Sequence, residues 1–210
     1  MPDRDSRSLS TRAVGEGMRE AETFTADDFE PIGESLISTL TFSNGRTALA
    51  HAAQTSTIES EGLGGDAFVA AIAEFPMSGV SQADTVSLFS LNFDLLDSVP
   101  ARLVWEISAD AVINARAQVS LVGPEGLIVL DGVGEYSSDG DLYSEGVFEQ
   151  ELMPGSYWLQ AMCAAGSVGI NGVDGAYRAA SWEFSFQVPG PGSALSMGLG
   201  ALGLAMRRRR

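Results

Sequence analysis

The sequence predicts an all-β protein, an antiparallel β-sandwich or jelly-roll-like domain over residues 32–188 with a short hydrophobic C-terminal helix after it. Apolar residues alternate with period two in roughly eight to ten separate runs, and turn residues punctuate them about every 8–12 positions. Composition agrees: 24 glycines in 210 residues are too many for a helical bundle, and 45% hydrophobic content is too high for wholesale disorder. Length suits a single domain with a sizeable core.

Met1 to Pro31 is polar and shows no apolar face, which predicts a flexible arm over residues 1–31. No apolar run of roughly 7–15 residues follows its basic positions, so it holds no recognisable signal peptide. Leu36, Ser38, Leu40 and Phe42 then share one strand face, and Ser43-Asn44-Gly45 reads as a turn. Arg46–Ile58 and Asp66–Phe75 are alanine-rich and are assigned as strands. Val86 and Leu88 alternate, and Phe89, Leu91 and Phe93 continue with shifted parity, the signature of a bulge. Leu103, Trp105 and Ile107 share a face. Val119 and Leu121 enter the turn Gly123-Pro124-Glu125-Gly126, and Leu127–Leu130 return as a short buried run. Gly132–Gly146 and Gly166–Gly175 read as glycine-rich loops. Between them, Tyr157, Leu159, Ala161 and Cys163 alternate. In the last strand Trp182, Phe184, Phe186 and Val188 oppose Glu183, Ser185 and Gln187.

The composition changes at Pro189-Gly190-Pro191, where two prolines break the strand. Ala194–Met206 is apolar except for Ser196, and Arg207, Arg208, Arg209 and Arg210 follow. At about 1.5 Å per residue those thirteen residues make a helix of roughly 20 Å, shorter than the roughly 30 Å hydrocarbon core of a bilayer. The arginine cluster follows the positive-inside bias, which leaves the folded body across the membrane. Proline hinge, short apolar segment and arginine cluster, in that order over residues 189–210, resemble the PEP-CTERM sorting signal, also called the ice-binding-protein C-terminal motif. The resemblance implies transient insertion in the inner membrane, recognition by an exosortase, and cleavage near Pro189–Pro191. Here Gly190 stands where that family has glutamate between the prolines. Its members also carry a signal peptide, and a start site placed too far downstream or a truncated sequence would account for the absence of one here. The expectation is an exported, non-catalytic cell-surface or extracellular-matrix protein associated with exopolysaccharide. A secreted carbohydrate-binding or carbohydrate-active protein is the alternative.

The formal charge is −16, and every basic residue is arginine. Such a balance argues against nucleic-acid partners, whose phosphates repel it. Catalytic candidates are few. His51 is the one histidine, in an alanine-rich run without a nearby cysteine, and Cys163 shares the parity of apolar neighbours, so no catalytic residue is assigned. Asp131, Glu135, Asp139, Asp141 and Glu145 in one loop region, and Asn171 and Asp174 in another, are oxygen donors of the type calcium takes. Asp139 and Asp141 are the metal candidates, and no other cofactor is expected. Trp105 and Trp182 read as core. Trp158 lies on the opposite parity to Tyr157 and Leu159 and reads first as a contact at the sandwich edge or beside the tail, with stacking of an exposed indole on a sugar as the alternative. Finally, Leu152-Met153-Pro154-Gly155-Ser156-Tyr157 resembles the Leu-x-Pro-Gly-x-Tyr turn of many extracellular bacterial sandwiches, which implies a tyrosine packed at a sheet corner.

Overall fold

The computed structural model describes residues 6–26, 28–59, 62–76, 79–170 and 173–188. In chain order its strands are β1 (Ser6–Gly15), β2 (Met18–Ala26), β3 (Ile32–Thr41), β4 (Thr47–Glu59), β5 (Gly62–Ala73), β6 (Val80–Leu95), β7 (Val99–Ala109), β8 (Ala115–Gly123), β9 (Gly126–Gly134), β10 (Tyr143–Leu152), β11 (Gly155–Ile170) and β12 (Arg178–Gln187). They build two six-stranded sheets, β2-β1-β6-β11-β8-β9 and β10-β7-β12-β5-β4-β3, here called the first and second sheets. All neighbours are antiparallel. From β5 onward the strand orders β5-β12-β7-β10 and β6-β11-β8-β9 are those of a jelly roll. β1 and β2 extend one sheet beyond β6, and β3 and β4 extend the other beyond β5. The apolar helix expected over the tail, with Pro189, Gly190, Pro191 and Arg207 to Arg210, lies outside the described residues.

Alternation explains the core. Trp182, Phe184 and Phe186 of β12 point inward and meet Phe89 and Phe93 of β6, with Phe89 and Phe184 ring centroids 4.9 Å apart. Tyr157 is buried, stacks on Phe93, and donates its hydroxyl to the Met153 carbonyl at 2.7 Å, so the expected corner forms. At the β9/β10 edge, Trp105 lies under Gly146, where a Cβ would collide with the indole. Its Nε1 donates to Asp131 Oδ2 at 2.7 Å, and Ser144 Oγ donates to the same oxygen at 2.6 Å. An inward carboxylate thus ties the two edge strands through Trp105 of β7.

The expected arm is corrected by the structure, which makes Ser6–Ala26 a hairpin and starts the sandwich at Ser6 instead of residue 32. β1 is an interior strand, paired with β2 and β6 along nine positions each. Its inward residues are Arg7, Leu9, Thr11 and Ala13. Arg7 is 2% exposed and donates to the Asp28 and Glu30 carbonyls and to Ser56 Oγ. Thr11 Oγ1 meets Ser38 Oγ at 2.8 Å. Polar residues hold half of this inward face, so hydropathy hides it. Glu16 and Gly17 join the strands with φ of 49° and 77°, as a two-residue hairpin turn of type I′ requires.

Three smaller expectations also change. β6 runs without a bulge: every odd position from Ser81 to Leu95 is buried, so Val86 and Leu88 face outward. The register shift occurs at Leu121/Val122 against β9, and there Leu127 and Leu130 are exposed while Val129 is buried. β11 continues through Ile170, which takes Gly166–Ile170 out of the expected loop.

Candidate functional site

The residues proposed for chemistry are dispersed. His51 faces outward on β4, with Nε2 3.0 Å from Ser35 Oγ and its ring edge-on to Phe68. Cys163 is fully buried, and burial pushes its thiol pKa far up, the opposite of an activated nucleophile. The acids of the 131–145 region diverge. Asp131 turns into the edge. Glu135 accepts from the Asn114 N–H and from Arg116 Nη1, both at 2.7 Å, and these bonds, the backbone one foremost, hold its pKa below the usual range. Asp139 and Asp141 are exposed and fold their loop around Ser137, whose Oγ accepts from both of their backbone N–H groups. Asp174 pairs with Arg46, and Asn171 lies outside the described residues. Among the described residues no group of three or more His, Cys, Asp or Glu is arranged to hold a metal ion.

The register assigns every outward side chain, and the two faces differ in charge. On the second sheet, Glu145, Glu106, Glu183 and Asp66 form one cross-strand row over β10, β7, β12 and β5. Like charges directly opposite one another are destabilising, so this row opposes the fold. It borders a depression of about 460 Å³ lined also by Val104, Val147 and Ser185. Tyr143 donates to Glu145 Oε2 at 2.8 Å, a bond that pushes the phenol up to about 12. Arg102 is occupied by Glu149 at 2.7 Å.

The first sheet's outer face is nearly neutral. Its charged strand residues are Arg12, Arg19, Arg116, Asp84 and Asp94, placed toward its ends and the β2 edge. The centre carries an indole, amides, hydroxyls and aliphatic groups. Trp158 of β11 is half-buried and lies between Asn92 and Val122, its Nε1 donating to Ser90 Oγ at 2.8 Å. That bond fixes the indole's orientation before any ligand arrives. Next along β11 come Gln160, flanked by Ser90 and Ser120, and Met162, flanked by Leu88 and Gln118. Beyond Met162 the outward side chains shrink to Ala164 and Gly166, forming the floor of a bay of about 190 Å³ between Asp84 and Val86 on one side and Arg116 on the other.

Of the candidates the sequence singled out, Trp158 belongs to this face and Glu135 lines its bay. Asn92, Gln160, Gln118 and Leu88 were missed. The signal was present in β11, where Trp158, Gln160 and Met162 oppose a fully apolar parity.

No protein-family model matches the chain, and no curated protein matches it. Among solved structures, the C-terminal CBM6 of LamC, a marine laminarinase from Zobellia galactanivorans, aligns over 73% of this chain and 90% of its own at 11% identity and a TM-score of 0.26. A structure of carbohydrate-binding modules from the β-sandwich superfamily covers 86% and 84% at 12% identity and a TM-score of 0.25. The VP2 subviral particle of infectious bursal disease virus covers 94% and 56% at 11% identity and a TM-score of 0.30. Similarity of this order says nothing about what this chain binds.

Proposed function

We propose that the protein is an exported, non-catalytic sandwich that holds uncharged glycan on the outer face of its first sheet. The observation that carries this reading is the preset indole of Trp158 within an uncharged field of amides and hydroxyls, on a molecule of charge −16. A pyranose ring offers an apolar C–H face and a rim of hydroxyls. Indole serves the first and side-chain amides, which donate and accept, serve the second. Acidic polymers are repelled by the overall charge. The tail at 189–210 delivers the domain to the cell surface or extracellular matrix through an exosortase, on the strength of its resemblance to that sorting signal.

Affinity electrophoresis against neutral and acidic polysaccharides tests the binding. Retardation by a neutral polymer, lost in Trp158→Ala and kept in His51→Ala, is expected, with no release of reducing sugar. Melting curves confirm that both variants fold. Equal retardation of wild type and Trp158→Ala would overturn the assignment of the face. Mass spectrometry of extracellular material from the host tests delivery: chains ending near Pro189–Pro191 are expected, and intact chains ending at Arg210 in the cytosol alone would refute it.

A further inference from the structure

We infer that the ligand lies lengthwise along β11, as a linear oligosaccharide with one sugar over Trp158 and a later one in the bay over Ala164 and Gly166. The inference rests on the glycan-binding reading and adds the ligand's shape, direction and minimum length.

Three observations support it. The outward side chains of β11 are large at Trp158, Gln160 and Met162 and small at Ala164 and Gly166, so the strand forms a track whose floor drops into the bay before it rises again at Val168. The flanking strands β6 and β8 keep amide groups beside the upper part of that track, Asn92 next to Trp158 and Gln118 next to Met162, while Ser90 and Ser120 next to Gln160 are buried. Across the sheet the surface is different. A ligand crossing β11 at Trp158 would run over Val122 to Leu127, where hydroxyls find no partners.

Length follows from strand geometry. Trp158 and Gly166 are eight residues apart on one strand, and at about 3.3 Å per residue the track is roughly 26 Å long. A single sugar or a disaccharide covers only part of it. The bay at the far end has walls of mixed charge, Asp84 against Arg116, and Arg116 is held in place by Glu135 at 2.7 Å. Such walls accept and donate to hydroxyls without selecting a charged sugar.

The test is calorimetric titration of the full chain with neutral cello-, xylo- and malto-oligosaccharides, from disaccharide to hexasaccharide. In the series that binds, affinity is expected to rise at least tenfold between disaccharide and hexasaccharide. Gly166→Leu, which fills the bay, is expected to abolish that gain. The glycine's φ lies outside the left-handed region, and the nearest atom to an added Cβ is the Asp84 carboxylate tip at 3.3 Å, so the substitution is accommodated. Ala164→Gln fills the same bay, keeps a Cβ already present, and serves if Gly166→Leu does not fold. Trp158-dependent binding with equal affinity at every length, or a length gain that survives the filling variants, overturns the track and leaves the glycan reading standing. No binding in any series overturns both.

Discussion

Replacing Leu9 with alanine distinguishes a first strand woven into the sheet from a loose arm. Leu9 is 1% exposed, belongs to the core cluster, and lies between Phe24 on β2 and Ser87 on β6. Truncating a buried leucine to alanine costs about 2–5 kcal/mol, the transfer of the lost methyl groups plus the cavity they leave. A central value of about 3 kcal/mol lowers the melting temperature by roughly 6–12 °C in a domain of this size. Thr23→Ala, on the exposed side of neighbouring β2, is the control and should stay within about 0.5 kcal/mol. Thermal melting followed by circular dichroism, with urea titration to show an unchanged slope, measures both. If Leu9→Ala melts within about 2 °C of the wild type, residues 6–26 contribute nothing to the core and the account of β1 is wrong.

Gly146→Ala should displace the Trp105 indole and break its bond to Asp131, costing about 2–4 kcal/mol from overpacking and a lost buried partner; an unchanged near-ultraviolet dichroism spectrum would contradict this. Cys163 should resist a thiol-reactive disulfide reagent in the folded protein at neutral pH and react once in denaturant. Because burial raises its folded pKa, the stability it confers is complete below about pH 8.5, the unfolded value, and declines as pH rises above it. Glu135 is shifted the other way: its hydrogen bonds from Asn114 and Arg116 stabilise the fold above about pH 4.3 and are lost as pH falls through its depressed folded value. Glu135→Gln should therefore flatten the acid limb of the melting profile by a small amount, since solvent screens this partly exposed pair.

How much of the molecule could be read from its sequence depended on whether hydropathy and burial coincide. In β12 they do: Trp182, Phe184 and Phe186 are both apolar and inward, and the strand was legible residue by residue. The Tyr157 corner was legible because Pro154 and Gly155 mark its turn. β1 was hidden because Arg7 and Thr11 are buried through hydrogen bonds, which leave no trace in an apolar pattern. Val86 and Leu88 misled in the opposite sense: apolar side chains on an outward face imitate a change of register. The candidate face shared that difficulty. Its members come from three strands, and Asn92, Trp158 and Gln118 are brought together only by a pairing register that no single segment specifies.

The central position of β12 has a consequence for the chain as it emerges. β12 separates β5 from β7 in the second sheet, and β11 separates β6 from β8 in the first. A ribosome releasing this polypeptide from its N-terminus first delivers local hairpins, among them β1–β2, β3–β4–β5 and β8–β9, with their edges open. The first sheet cannot close until Ile170 is free, nor the second until Gln187 is. Non-local pairing of this kind is slow, and open edges invite association with other chains.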